Sequence, residues 1–211
     1  KTAYEIPKRD WSSDVCSSDL SEDGKVLQQV RVDVKPKTEN QKKLVKAIKE
    51  NEITIASGLP GSGKTFLSIA EAIKLLKSTE LPFRKIILVK SVTTLKDEEI
   101  GFLKGTMEEK MEPFMDSFLD NFIKIIGEQF TNKLREMGLI QIKPIAYVRG
   151  RSIDNSIIII DEAQNISLDN MRTLMTRIGD NSKLIILGDV KQKDIRNKKD
   201  RKSTRLNSSH V

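Results

Sequence analysis

The feature that most constrains the fold of this chain is a glycine-rich stretch between a predicted strand and a predicted helix. Residues 58–65 read Gly-Leu-Pro-Gly-Ser-Gly-Lys-Thr and match the phosphate-loop pattern G-x-x-x-x-G-K-[S/T] at every specified position. Alternating Ile53 and Ile55 precede this phosphate loop, and apolar residues at helical spacing follow it over residues 64–76. A strand, a tight loop and a helix in this order are typical of the first unit of an α/β nucleotide-binding fold.

The residue types of the phosphate loop each have a chemical reason. Glycines allow backbone N–H groups to point closely at phosphate oxygens. Lys64 would place a positive charge on the β- and γ-phosphates, and the Thr65 hydroxyl would ligate magnesium. The alternative is a glycine-rich turn that binds nothing, which the Lys-Thr pair and the correct flanks disfavour. The predicted loop contacts to the nucleotide are Gly58, Pro60, Gly61, Ser62, Gly63, Lys64, Thr65 and Phe66.

A second signal is the apolar strand predicted over residues 156–161, which ends in Asp161 and is followed by Glu162. Asp161 at a strand end can hold the magnesium ion, and Glu162 can orient or deprotonate the attacking water. On its own, an Asp-Glu pair at a strand end is typical of a solvated turn or a helix N-terminus. The phosphate loop upstream favours the catalytic interpretation.

Strands and helices are predicted to alternate along the chain. Residues 30–34, 52–57, 85–90, 140–148, 156–161 and 184–188 have strand patterns, and residues 38–49, 64–76, 95–130, 132–137 and 167–178 have helical ones. Pro113 is expected to kink or break the long helix. Near-continuous apolar strands indicate a mostly parallel sheet buried on both faces, and hence an α/β three-layer sandwich.

Two glutamines have two interpretations each. Gln192 follows the strand at 184–188, where it is either a sensor of the γ-phosphate or part of an ordinary strand-end turn. Thr38-x-x-Gln41 has the pattern of a capping box, which alone explains both of its residues.

The sequences of both chain ends indicate an unusual origin for the DNA that encodes them. Residues 10–20 and 200–210 can be encoded by opposite strands of one DNA sequence, which resembles a sequencing-library adapter. We therefore expect both stretches to be artefacts and exclude them from reasoning about the fold. They contain the single Cys, Trp and His of the chain, Cys16, Trp11 and His210. The chemistry of the remaining segment would then depend on Lys, Thr, Asp, Glu and Gln.

The motifs together resemble the PhoH family of P-loop ATPases, whose core is similar to the first motor domain of superfamily 1 helicases. The matching segments are residues 36–41, 58–65, 101–103, 146–152, 161–165 and 176–177, with Gly188, Asp189 and Gln192. The resemblance implies that Gln41 contacts adenine and that Gln192 senses the γ-phosphate. It also implies that Arg177, or an arginine in the Arg149-Gly150-Arg151 turn, stabilises transition-state charge, with surface salt bridging as the alternative.

The same resemblance implies the domain organisation. Residues 21–199 would be a PhoH-like ATPase domain that is incomplete at its C-terminus, between an unrelated or artefactual segment at 1–20 and an artefactual tail at 200–211. The family pattern continues beyond Gln192 into a further strand and helix, so we expect an open sheet edge. Lys90 stands where the family usually has arginine.

The expected function is magnesium-dependent ATP binding and hydrolysis, coupled to RNA metabolism, in a cytoplasmic protein that assembles as a homo-oligomeric ring. The net charge of +7 permits a polyanionic partner without requiring one. The alternative function is a non-hydrolysing ATP-binding module that holds RNA or single-stranded nucleic acid on a basic surface. Since no apolar run approaches the length of a membrane helix, we expect no membrane partner.

Overall fold

The computed structural model describes residues 22–90, 107–145 and 152–189. The strands are β1 (Ile53–Ser57), β2 (Lys85–Lys90), β3 (Ile140–Pro144), β4 (Ser156–Asp161) and β5 (Lys183–Gly188). The helices are α1 (Glu22–Gln29), α2 (Glu39–Glu50), α3 (Lys64–Lys77), α4 (Met107–Ile126), α5 (Glu128–Glu136) and α6 (Leu168–Met175). Both predicted adapter stretches lie outside the described residues.

The five strands form one parallel sheet in the order β1-β5-β4-β2-β3. Because all strands run the same way, their carboxyl ends meet at one edge of the sheet. The order places β5 between β1, which leads into the phosphate loop, and β4, which ends in Asp161. The predicted α/β class with a parallel sheet is confirmed, and the two sequence motifs lie at the same edge.

The sheet is covered on both faces, as the apolar strands predicted. Along β4, Ile157 and Ile159 belong to a core on the first face, whereas Ile158 and Ile160 belong to a core on the second face. Helices α1 to α5 supply the first core. Leu174 of α6, with residues from neighbouring loops, covers the second. This layering confirms the three-layer sandwich.

β1 departs from the expectation of strands buried on both faces. In the described part of the chain, this strand is at one edge of the sheet and β3 is at the other. Thr54 of β1 is buried, but Ile53 is 45% exposed and Ile55 is 73% exposed. Since alternate residues of a strand point to opposite faces, Ile53 and Ile55 lie on the second face, which none of the described residues covers at this edge.

Helix α2 begins where the capping-box pattern predicted. The Thr38 side chain accepts a hydrogen bond from the Gln41 backbone N–H, and the Gln41 side chain accepts one from the Thr38 backbone N–H. These two reciprocal bonds satisfy donors that the first turn of a helix leaves unpaired. The side chain of Gln41 is thereby held at the N-terminus of α2.

The predicted strand at 30–34 is wrong, although its pattern of burial is right. Val30 is buried and Val32 and Val34 pack against the first core, but within residues 22–90, 107–145 and 152–189 the segment pairs with no strand. The Lys77 ammonium donates to the Val30 carbonyl, and the Lys74 ammonium donates to the Val34 carbonyl at 3.0 Å. Side chains of α3 therefore occupy acceptors that a neighbouring strand would have used.

Lys74 also takes part in an ion-pair cluster around a buried carboxylate, which joins α2 to α3. Glu71 is 2% exposed, and its two carboxylate oxygens lie 3.3 Å from the Lys49 ammonium and 3.5 Å from that of Lys74. A buried carboxylate is costly unless it is paired, and here two cations compensate it. The cluster fixes the position of α3 relative to α2.

Three helix boundaries differ from those predicted. Helix α4 continues through Pro113, so there is no break at that residue. A break occurs instead at Gly127, whose φ of 83° suits glycine, and α5 begins directly after it. Helix α6 starts after its cap Ser167 as predicted, but it ends at Met175 because Ile178 forms a bridge with Ile153.

Candidate functional site

A cavity of about 340 Å³ opens at the carboxyl edge of the sheet. The phosphate loop forms one wall, and the residues that follow β4 and β5 form another. Its lining residues are Pro60, Gly61, Ser62, Gly63, Lys64, Thr65, Phe66, Asn121, Asp161, Glu162, Gln164, Gly188 and Asp189. The structure therefore brings together most of the loop residues predicted from sequence with both predicted carboxylates.

The backbone of the phosphate loop requires glycine at two positions. Gly61 has a φ of 72°, and Gly63, at the N-cap of α3, has a φ of 82°. Side chains other than hydrogen are disfavoured in this left-handed region. The N-terminus of α3 therefore opens into the cavity with the unpaired N–H groups and positive dipole end that favour an anion.

The ammonium group of Lys64 lies against its own loop. It donates to the Gly58 carbonyl at 2.6 Å, to the Leu59 carbonyl at 2.9 Å and to the Ser62 hydroxyl at 3.4 Å. A lysine side chain carries a compact, mobile charge, which can exchange such neutral acceptors for phosphate oxygens. Gly58 contributes a carbonyl to this arrangement without lining the cavity.

The two predicted magnesium ligands are in direct contact. The Thr65 hydroxyl, in the first turn of α3, donates to Oδ2 of Asp161 at 3.0 Å. A hydroxyl and a carboxylate are hard oxygen donors, and magnesium in phosphate-transfer sites takes few protein ligands beside water and phosphate oxygens. The donor pair fits magnesium, although the described residues contain no group of three or more His, Cys, Asp or Glu able to hold a metal.

Glu162 follows in a conformation that is uncommon for its residue type. Its φ is 52°, and its backbone N–H donates to Oδ1 of Asp161 at 2.9 Å. The left-handed backbone costs free energy for any residue with a side chain, and such costs are concentrated at functional sites. The turn places the exposed Glu162 carboxylate on the cavity wall beside Asp161.

Gln164 lines the cavity but was not among the site residues predicted from the sequence. Its side-chain oxygen accepts a hydrogen bond from the backbone N–H of Asp189 at 3.0 Å. A Cβ at Gly188 would lie 3.4 Å from the same oxygen, so glycine permits this close approach. Gln164 thus ties the turn after β4 to the end of β5, and its place in the Asp-Glu-Ala-Gln motif was the available signal.

Asn121 is a second residue that was missed. Helix α4 contributes it to the cavity wall, and it is half-buried there. The signal in the sequence was a polar residue beside a stripe of apolar ones, because Phe118 and Ile125 lie three residues before it and four after it on the same side of the helix.

Gln41 lies beside the phosphate loop rather than in the cavity wall. Its side-chain oxygen accepts from the backbone N–H of Lys37 at 2.7 Å, and its side-chain nitrogen donates to the Ser62 carbonyl at 3.1 Å. The capping interpretation of Gln41 is therefore confirmed. The predicted contact with adenine stays a prediction.

The remaining predicted site residues lie elsewhere. Arg177, which follows α6, is half-buried and does not line the cavity. Its Nε atom is buried without a hydrogen-bond partner among the described residues. Gln192 and the arginines of residues 149–151 lie outside the described residues, as does the predicted apolar continuation beyond residue 145.

A lysine with a shifted pKa lies at the amino-terminal end of β5, away from the carboxyl ends of the strands that form the cavity. Lys183, at the start of β5, is buried and donates to the Asn51 carbonyl. Burial lowers the pKa of Lys183, and the nearby Glu52 carboxylate partly opposes this shift. The lysine is distant from the cavity along its own strand, so it bears on stability rather than on the site.

The family model described as PhoH-like protein matches residues 33–209. A PhoH-like protein of Bacillus subtilis (strain 168) is 38% identical over 162 residues, which cover 77% of this chain and 50% of that protein. Protein PhoH of Escherichia coli (strain K12) is 36% identical over 161 residues, with 75% and 45% of the two chains covered. This chain thus spans about half the length of the curated relatives it matches.

Among solved structures, the large terminase of a thermophilic bacteriophage matches with a TM-score of 0.45. The sequence identity is 11%, and the match covers 73% of this chain and 39% of the terminase chain. In the described part of the chain, no helix is long and apolar enough to cross a membrane.

Proposed function

Because this chain belongs to the PhoH-like protein family, we propose that it binds ATP with magnesium and hydrolyses the γ-phosphate. The observation that carries the proposal is the direct contact between the Thr65 hydroxyl and the Asp161 carboxylate inside the cavity of the phosphate loop. A glycine-rich turn without a ligand would not need a hydroxyl and a carboxylate in contact across two separate motifs.

The phosphate loop would bind the triphosphate. Its backbone N–H groups and the N-terminus of α3 offer donors to the β- and γ-phosphate oxygens. Lys64 would leave the carbonyls of Gly58 and Leu59, which it contacts here, and neutralise charge on the same phosphates. Thr65 and Asp161 would hold magnesium, which supplies charge neutralisation at the phosphates when it is bound.

Glu162 would act on the attacking water. The water oxygen forms a bond to the γ-phosphorus while the bond to the bridging oxygen breaks, which yields ADP and phosphate. The Glu162 carboxylate orients this water and accepts its proton. Support for this role comes from the left-handed backbone of Glu162, which is retained at a free-energy cost beside Asp161.

Two substitutions separate binding from turnover. Lys64→Ala should abolish ATP binding, because no other side chain in the loop supplies the positive charge. Glu162→Gln should bind ATP and lose hydrolysis, because the amide cannot accept the proton. Both are measured by calorimetric titration with ATP and magnesium, followed by a phosphate-release assay.

The outcomes distinguish two functions. Normal turnover in the Glu162→Gln protein would remove Glu162 from the mechanism. Tight ATP binding without turnover in the unsubstituted chain would favour the alternative, a non-hydrolysing nucleotide-binding module. Failure of the unsubstituted chain to bind ATP would contradict both functions.

Coupling to RNA and assembly into a ring are finer parts of the proposal. RNA binding is suggested by the family resemblance and by basic residues between 191 and 199, which lie outside the described residues. RNA affinity that falls steeply with salt would support it. Arg177 does not line the cavity of its own chain, so a catalytic role would require it to act across a subunit interface. Sedimentation with and without ATP tests that assembly.

A further inference from the structure

Asn121 stands out among the cavity-lining residues because its helix belongs to neither nucleotide motif. It reaches the cavity from α4, which packs against α3 on the first face of the sheet. Gln164 and Asp189, which also line this cavity, belong to the segments after β4 and β5. Asn121 therefore shares one cavity with the phosphate loop and the ends of β4 and β5, which is where the terminal phosphate would lie.

The helix holds Asn121 firmly at this position. Phe118 and Phe122 are 2% and 0% exposed, and Ile125 is 9% exposed, all within the first core. Phe118 and Ile125 flank Asn121 at steps of three and four residues, and the burial of all three side chains in the first core fixes how α4 is rotated against the sheet. The position of Asn121 on the cavity wall is therefore set by the packing of its helix.

The charges of the cavity favour a neutral donor at this position. Among the described residues, three carboxylates, those of Asp161, Glu162 and Asp189, line the cavity with a single lysine, Lys64. Bound magnesium would offset the charge of Asp161, and a terminal phosphate would still share the cavity with the carboxylates of Glu162 and Asp189. A carboxamide can donate N–H groups to phosphate oxygens and adds no further negative charge to the cavity.

We propose that Asn121 donates a hydrogen bond to an oxygen of the γ-phosphate and so makes the site prefer ATP to ADP. This inference rests on the proposed ATP-binding function. It assigns to α4 a direct part in recognising the nucleotide state, alongside the phosphate loop and the strand ends. ADP lacks the γ-phosphate and would not gain this bond.

The test compares two ligands in the whole chain. Calorimetric titrations with magnesium measure the Kd for ADP and for a non-hydrolysable ATP analogue with an imido β–γ bridge. Asn121→Ala should weaken the analogue about tenfold and ADP less than about twofold, as loss of one hydrogen bond to a charged group implies. Asn121→Asp should weaken the analogue further, because it adds another negative charge to the cavity.

The matched control is Asp120→Ala, at the exposed neighbouring position of the same helix, which should leave both dissociation constants unchanged. Thermal unfolding checks that each variant is folded, and Asn121→Ser replaces the alanine variant if that one does not fold. Equal weakening of both ligands, or no weakening of either, would overturn the inference while the proposed function stands. Loss of all nucleotide binding in the unsubstituted chain would overturn the proposed function and the inference together.

Discussion

The Thr65 hydroxyl donates a 3.0 Å hydrogen bond to Oδ2 of Asp161, although 96 positions separate the two residues in the chain. The contact joins the first turn of α3 to the end of β4. It creates a pair of oxygen ligands from two motifs that are each ambiguous alone. The proposed magnesium site depends on this pairing.

Thr65→Val removes the hydroxyl and keeps the shape of the side chain. We expect ATP turnover in this variant to require at least about tenfold more magnesium, because one of the oxygen ligands is lost. A magnesium titration of phosphate release measures the change. Thr65→Ser retains the hydroxyl and should keep a magnesium requirement near that of the unsubstituted chain. An unchanged requirement in the valine variant would exclude Thr65 as a ligand.

Gln164→Leu tests the link between the turn after β4 and the end of β5. The substitution leaves the buried region around the Asp189 backbone N–H without the acceptor that lies 3.0 Å away here. We expect the free energy of unfolding to fall by about 1–3 kcal/mol. Chemical denaturation measures this change. Gln164→Glu keeps a side-chain oxygen acceptor, so its free energy of unfolding should fall less. Equal decreases in the two variants would contradict the role of that hydrogen bond.

Gln41→Ala separates capping from recognition of adenine. The variant loses the bonds to Lys37, Thr38 and the Ser62 carbonyl, and a lost cap costs about 1 kcal/mol of stability. Thr38→Ala is the control, because it removes the other half of the capping box and leaves Ser62 untouched. If Gln41 also contacts adenine, only Gln41→Ala reduces the preference for ATP over GTP in competition titrations. If both variants prefer ATP over GTP to the same degree, Gln41 serves only to cap α2 and to contact the phosphate loop.

The lowered pKa of Lys183, a residue outside the nucleotide site, predicts that the stability of the fold depends on pH. Its pKa is lower in the folded chain than in the unfolded one, mainly through burial. Between those two values the unfolded state binds more protons, so the free energy of unfolding rises with pH. The window lies below the ordinary lysine value of about 10.4.

Lys183→Met should therefore flatten the rise in stability from neutral to alkaline pH. Urea unfolding at several pH values measures the slope, and ATP affinity at neutral pH should stay unchanged because the residue lies at the far end of β5. The same slope in both proteins would show that another group is responsible.

Several elements could be predicted from residues that are close in sequence. The capping box of Thr38 and Gln41 identified the start of α2, and the apolar pattern identified β2 and β4. The strand predicted at 30–34 was wrong because an alternating pattern shows which side chains are buried and does not show which groups pair with the backbone. Lysines of α3 provide that pairing here, and no local pattern announces them.

The sequence by itself determined the phosphate loop, the strand that ends in Asp161 and the α/β class, because glycine spacing, capping and apolar periodicity act over a few residues. Only the tertiary structure decided that Thr65 contacts Asp161, that Gln164 holds the end of β5 and that α4 brings Asn121 to the cavity. Those contacts depend on the order of strands and on the packing of helices against the sheet. Both arise from burial of apolar surface between segments far apart in the chain.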